Sequence, residues 1–459
     1  MREEQVAASV LEQNWLSLYG DLNDLYSPKL EERLEWRRLT TFAPNRARPV
    51  HNWFYCAQAF SSELVNRLLE LFSVSASHTV LDPFCGVGTT LLSCSEKGIR
   101  SIGCDIFPLF CFVTKVKCEA NYDIEDLKKS VDVIVKTPTN VASEIPKHPL
   151  FHRAFSQRAL KELLSYRDRI LRIGDEKTRD FLLLALLSTV NDVSYIRKAG
   201  AHYRFINTNR TGVRHQYGKM KMQERSVVRA FKQKAYNMIG DLESRERNLS
   251  KYVFGDSDSA HYQVADVHIT DARSMRFLES DTIDVVITSP PYLNRDNYVA
   301  QYKLELFLAP PPYGVKEFDE YRTLTFRTLR SHVEAKEQQA YKAGIRIKEL
   351  DLLVDELRSR ELSYRSIPEM VEGYFEDMAV VFGELSRVVK KGGKLAIIVG
   401  NVRFGGVHIP VDLLLARIAE DHGFDVEKIV VARYKMNSPQ QMKRYGKVPV
   451  RESVVVLQK

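Results

Sequence analysis

The 459-residue sequence predicts an α/β protein built on a mostly parallel sheet of about seven strands with helical insertions. Three observations carry this prediction. Residues 79–105 read as strand, glycine-rich turn, helix and strand. The same alternation resumes over 267–288 after a long helical stretch. A glycine pair, Gly392-Gly393, then leads into three more strands.

Residues 1–50 form a polar lead-in, with Val10, Leu11, Leu16, Leu18 and Leu22 at helical spacing. Asn52–Phe72 brings aromatics and then Leu64, Leu68, Leu69 and Phe72 on one helical face. A strand at Thr79–Asp82 enters Pro83-Phe84-Cys85-Gly86-Val87-Gly88, and Thr89-Thr90 opens a helix. Ser101–Cys104 is the second strand and ends at Asp105.

Residues 121–254 interrupt the pattern. They are helical by period at Leu160, Leu163, Leu164, Ile170 and Leu171, and then turn basic. Arg197 to Lys251 carries fourteen Lys or Arg against four Asp or Glu. Strands follow at Val267–Thr270, closed by Asp271, and at Asp284–Thr288. A second helical insertion falls within 300–365, with Leu350, Leu353 and Leu357 on one face. A helix over 367–389 precedes the strand Lys394–Val399, and Lys428–Val431 and Ser453–Leu457 pair antiparallel at the end. The α/β part thus spans 51–120 and 255–459.

A net charge of +8 and a pI of about 9.0 favour a polyanionic partner without establishing one. Six cysteines crowd the first quarter with no Cys-x-x-Cys, which reads as buried thiols in a reducing compartment and no metal site. The N-terminus has no apolar signal core, and the longest apolar run, Phe181–Leu187, falls far short of the ~20 residues of a membrane span. The expectation is a soluble cytoplasmic protein with no membrane partner.

Three motifs carry chemistry. Asp82-Pro83-Phe84-Cys85-Gly86-Val87-Gly88 lets a ligand approach the backbone just before a helix N-terminus. Position 91 is Leu where a dinucleotide loop has its third glycine, and no lysine follows as in a phosphate loop. The loop therefore suits a ligand without a pyrophosphate. Asp105 and Asp271 each close a strand, where a carboxylate either receives ribose or base donors or simply makes a turn. Ser289-Pro290-Pro291-Tyr292 fixes two φ angles and removes two backbone donors. It offers a hydroxyl and free carbonyls to an amine and an aromatic face to a flat ring, although two prolines can also merely end a strand.

In this order, the glycine loop, the two acids and Thr288-Ser289-Pro290-Pro291-Tyr292 resemble the S-adenosylmethionine-dependent DNA amino-methyltransferases. The resemblance covers roughly 51–120 and 255–459 and implies a Rossmann-like methyltransferase sheet. It implies S-adenosylmethionine bound by Phe60, Ser61, Asp82, Phe84, Gly86, Gly88, Asp105, Ile106 and Asp271, with Ser289 reaching the same ligand. It implies a catalytic Ser289, Pro290, Pro291 and Tyr292, holding the exocyclic amine of a base flipped from double-stranded DNA. Serine at the first position resembles the cytosine-N4 subgroup, with adenine N6 as the alternative. Ring-carbon methylation, which in its own family uses a Pro-Cys nucleophile, is excluded because the chain has no Pro-Cys. Arg197, Lys198, Arg204, Arg210 and Arg214, interleaved with aromatics, are the expected DNA contacts, with 315–365 the rival. The family context implies a cognate restriction endonuclease and a prokaryotic, nucleoid-associated location. An RNA methyltransferase and a catalytically silent DNA-binding subunit are the competing readings.

Overall fold

The computed structural model describes residues 20–138, 146, 148–199, 202–205, 226–253, 262–293, 297–335, 347–436 and 439–459. Its strands are β1 (Leu30–Glu32), β2 (Thr79–Asp82), β3 (Arg100–Asp105), β4 (Ile196–Ala199), β5 (His202–Phe205) and β6 (Asp266–Ile269). They continue with β7 (Ile283–Thr288), β8 (Val389–Gly400), β9 (Val402–Phe404), β10 (Val407–Ile409), β11 (Asp425–Lys435) and β12 (Val450–Gln458).

Eight of them form one sheet in the order β1-β11-β12-β8-β7-β2-β3-β6. Every neighbouring pair is parallel except those of β12, which runs antiparallel to β11 and β8. The α/β class and the antiparallel end match the sequence expectation. The count differs by one strand. Leu30–Glu32, in the segment expected to be helical, pairs with Ile429–Val431 at the sheet edge. Three residues carry no legible alternation, so this strand exists only through its tertiary partner.

The central strands are apolar throughout because both sheet faces are covered. Val80, Leu81, Val285, Val286, Ile287, Ile397 and Ile398 are each 3% exposed or less. Helix Ser62–Leu71 is capped by Ser61, whose hydroxyl accepts from the Leu64 amide. Asp123, Ser156 and Asp175 cap three helices of the first insertion in the same way. That insertion is helical as expected, except that β4 and β5 form a two-stranded hairpin within its basic stretch.

Chain order and sheet order together set the position of the site. From β2 the chain builds β3 and then β6 on one side, and only then returns to lay β7 on the other side of β2. The order reverses between β2 and β7, so their carboxyl ends part and open a crevice. A buried ion network fixes one wall of it. Asp377, 0% exposed, accepts from Arg273 Nη1 at 3.1 Å and from Arg330 Nη2 at 2.8 Å, and from the Arg330 amide at 2.9 Å. Removing one partner of such a network strands buried charge. Asp377→Ala is therefore expected to destabilise the fold by about 3–5 kcal/mol, read as a lower urea midpoint. A midpoint equal to wild type would show that the network contributes no stability.

Candidate active site

The crevice is a cavity of about 280 Å³, and the glycine loop, Asp105, Asp271 and the Ser-Pro-Pro-Tyr turn all line it. The expected site residues, 187 positions apart between Asp105 and Tyr292, are thus brought together by the sheet order.

The glycine loop is shaped by two carboxylates. Asp82, 1% exposed, accepts the Phe84 amide at 3.1 Å and the Thr288 hydroxyl at 2.6 Å. Thr90 Oγ1 donates to the Ile287 carbonyl at 3.2 Å. These contacts tie the end of β2 and the helix after it to the end of β7. Asp105 accepts the Gly86 amide at 3.0 Å and the Phe107 amide at 2.8 Å, one on each oxygen. Each oxygen keeps a lone pair, so the carboxylate can still take two hydroxyls. Burial pushes both the Asp82 and the Asp105 carboxyl up to about 6.

The two loop glycines do different work. Gly86 has φ +50, and a Cβ there would meet nothing nearer than the Phe84 carbonyl at 3.9 Å, so it would project into space the cavity uses. Gly88 has φ +80, and its Cβ would lie 2.7 Å from Thr114 Cγ2; it lets the helix start pack and does not face the cavity.

Several expectations change in detail. Phe60, Phe84 and Ile106 line the cavity. Ser61 does not: it is buried, and its hydroxyl is committed to capping helix Ser62–Leu71. Asp82 supports the loop from behind it. Asp271 faces the cavity, but both its oxygens are also held by Arg273, at 3.0 and 2.7 Å. Lys198 is corrected outright as a DNA contact. Its ammonium lies 2.6 Å from Glu305 in a pair 10% and 1% exposed, and 3.6 Å from the centre of the Tyr302 ring. Pairing and burial leave it nothing for a phosphate. Arg197 is exposed on β4, and Arg204 is its cross-strand partner in register. Arg210 and Arg214 lie outside the described residues.

Other lining residues were not foreseen. Thr40, Thr41 and Cys56–Gln58 come from the lead-in and the turn after it, and Arg327–Leu329 with Ser331 and His332 come from the second insertion. Arg433, Lys435 and Glu452 come from the antiparallel end of the sheet. None of these sits in a local motif, and only the pairing of β11 with β12, and of β12 with β8, brings the last three in.

The Ser-Pro-Pro-Tyr turn forms the other wall. Ser289 and Tyr292 are half-buried, and Pro290 is buried. Burial, and then the nearby Glu452 carboxylate, hold the Tyr292 phenol well above its ordinary range, so it is neutral at any working pH. A neutral ring facing a cavity opposite a carboxylate-lined loop can hold a flat polar group between hydrogen-bond acceptors and an aromatic face.

A family model for N6 and N4 methyltransferases, described as DNA methylase, matches residues 9–115. Type II methyltransferase M.BsoBI of Geobacillus stearothermophilus is 30% identical over 457 residues, covering 92% of this chain and 88% of that protein. Type II methyltransferase M.AvaI of Nostoc sp. is 31% identical over 454 residues, covering 94% of this chain and 90% of that protein. Type II methyltransferase M.MjaII of Methanocaldococcus jannaschii is 31% identical over 131 residues, 28% of this chain and 24% of that protein.

S-adenosylmethionine is the methyl donor, and the cavity residues fit it: the Asp105 lone pairs suit ribose hydroxyls and the Gly86 cradle admits a ligand against the backbone. To accept two donating ribose hydroxyls, Asp105 would have to be ionised. Its raised pKa sets the sign: protonation grows as pH falls through about 6. Cofactor affinity measured by calorimetry is therefore expected to be full above pH ~7 and to decline as pH falls through 6. Asp105→Asn is expected to weaken binding and flatten that decline, leaving only the part due to Asp82. An unaltered pH profile in the variant would remove Asp105 from the cofactor site.

Proposed function

We propose that this chain, which belongs to the S-adenosylmethionine-dependent DNA amino-methyltransferases, methylates the N4 amine of a cytosine flipped out of double-stranded DNA. On this reading it is the modification half of a type II restriction–modification system, working beside a cognate endonuclease. The observation that carries the reading is a serine, Ser289, at the head of a Pro-Pro-Tyr turn, in one cavity with the glycine loop and Asp105. The names of the relatives, M.BsoBI and M.AvaI, support the type II context.

The cofactor supplies an electrophilic methyl group. The chain's own residues do the rest. A base amine is a poor nucleophile because its lone pair is delocalised into the ring. Ser289 Oγ and the Pro290 carbonyl accept its two N–H groups, favouring a pyramidal nitrogen with its lone pair turned toward the donor side of the crevice. Tyr292 holds the ring by stacking. Catalysis is then positioning and electrostatics, and the cationic product sheds its proton readily, so no strong base is needed beforehand. Serine is a neutral acceptor, and in this family that choice leans to cytosine.

The β4–β5 hairpin is the proposed phosphate contact. Its backbone register pairs Arg197 with Arg204, so one short hairpin carries two basic residues of the basic stretch.

Mass analysis of nucleosides from methylated DNA tests the base: N4-methylcytosine is expected, and N6-methyladenine would overturn the assignment. Ser289→Ala is expected to lower kcat about 100-fold with cofactor affinity unchanged. A wild-type kcat would take Ser289 out of the mechanism.

A further inference from the structure

The sheet order splits the crevice in two. Asp271, Asp105 and the glycine loop stand at the ends of β6, β3 and β2, and Ser289 follows β7 at the boundary. Beyond Ser289 the sheet continues with β8, β12 and β11. There Arg433 and Glu452, both lining the cavity, are partners in register, and Glu452 is the partner of Gly400 on β8. Thr288 is the partner of Ile397 at the end of β7, and three residues further along β8 Gly400 sits against the Tyr292 ring.

Glu452 is 1% exposed and accepts from Arg433 Nη2 at 2.9 Å and from Lys435 Nζ at 3.2 Å. The Lys435 ammonium lies 5.0 Å from the centre of the Tyr292 ring. A Cβ at Gly400 would fall 2.7 Å from that ammonium and 3.2 Å from Tyr292 Cε2, so glycine leaves room for both to sit together. Arg433 Nε is buried and has no hydrogen-bond partner among the described residues. A buried N–H donor left unmatched costs free energy unless a ligand meets it.

We propose that Arg433, held by Glu452, is the specificity-determining residue of the base pocket and donates to O2 of the target cytosine. The inference rests on the cytosine reading above and deepens it. Cytosine presents its amine, N3 and O2 along one edge. With the amine held at Ser289 and the donor side occupied by the cofactor, the rest of that edge extends over β8, β12 and β11, toward Arg433. Adenine presents its amine, N1 and a C–H at the corresponding place. It gives the arginine no acceptor, and the pocket rejects it by leaving the donor unpaired. Glu452 is a positioning residue: it fixes the guanidinium without touching the base. Lys435 lies on the Tyr292 face and adds positive charge beside the ring acceptors.

The test compares two duplexes, one with cytosine and one with adenine at the methylated position. That position is first located by long-read sequencing of DNA from a host expressing the protein. Wild type must give N4-methylcytosine; N6-methyladenine as its main product sinks the underlying reading itself. Given N4-methylcytosine, Arg433→Met is expected to lower kcat/KM on cytosine about tenfold or more while leaving the rate on adenine little changed. Discrimination between the bases collapses accordingly. Equal loss on both bases, or no loss, overturns the proposal, because a merely structural arginine cannot distinguish them. Where Arg433→Met alone fails to fold, Arg433→Met with Glu452→Gln removes the stranded carboxylate and is read the same way. Calorimetric binding of S-adenosylmethionine shows that each variant is folded.

Discussion

The hydrogen bond from the Thr288 hydroxyl to Asp82, 2.6 Å long and fully buried, joins the two strands whose carboxyl ends must part to make the site. β2 and β7 are neighbours in the sheet, yet their connections leave in opposite directions. Without a crosslink at that point the glycine loop and the Ser-Pro-Pro-Tyr turn would each follow its own strand. Asp82 also receives the Phe84 amide, so a single carboxylate sets the shape of the glycine loop and its distance from the Ser-Pro-Pro-Tyr turn. Methyl transfer depends on that distance more than on any acid or base, since the reacting atoms need only be aligned.

Charge in this molecule is buried in service of position. Asp105 orders the loop through two backbone amides and keeps lone pairs for a ligand. Asp377 draws Arg273 and Arg330 together, and Arg273 in turn holds Asp271 and the Arg327 carbonyl. The second insertion is thereby drawn over the mouth of the crevice, where Arg327–Leu329 with Ser331 and His332 line it. Glu452 repeats the device at the far end with Arg433 and Lys435. The Asp82 and Asp377 networks span elements distant in sequence. The cavity is therefore a product of the whole fold, and no single loop makes it.

The parts legible in the sequence were those whose chemistry is local. The glycine loop needs positive φ at Gly86 and Gly88, and both glycines are there to be read. Two prolines declare the turn after β7, and the acids at strand ends mark the same edge of the sheet. What stayed hidden depended on long-range pairing. β1 takes its identity from β11, and Arg433 and Glu452 meet the site only because β12 inserts between β11 and β8. Lys198 illustrates the opposite error: composition marks it as a free cation, while Glu305, more than a hundred residues away, neutralises it in the interior. Ser61 caps helix Ser62–Leu71 and does not line the cavity; a capping hydroxyl and a ligand-binding one look alike in sequence.

The proposed mechanism requires a base amine held at Ser289 across the crevice from Asp105. A crystal structure with S-adenosylhomocysteine and a duplex containing the target site tests this most directly. The expected structure has one cytosine out of the helix, its amine within hydrogen-bond distance of Ser289 Oγ and the Pro290 carbonyl, its ring on Tyr292, and the cofactor ribose on Asp105. A target base still stacked in the duplex, or an amine bound elsewhere than at Ser289, would contradict it.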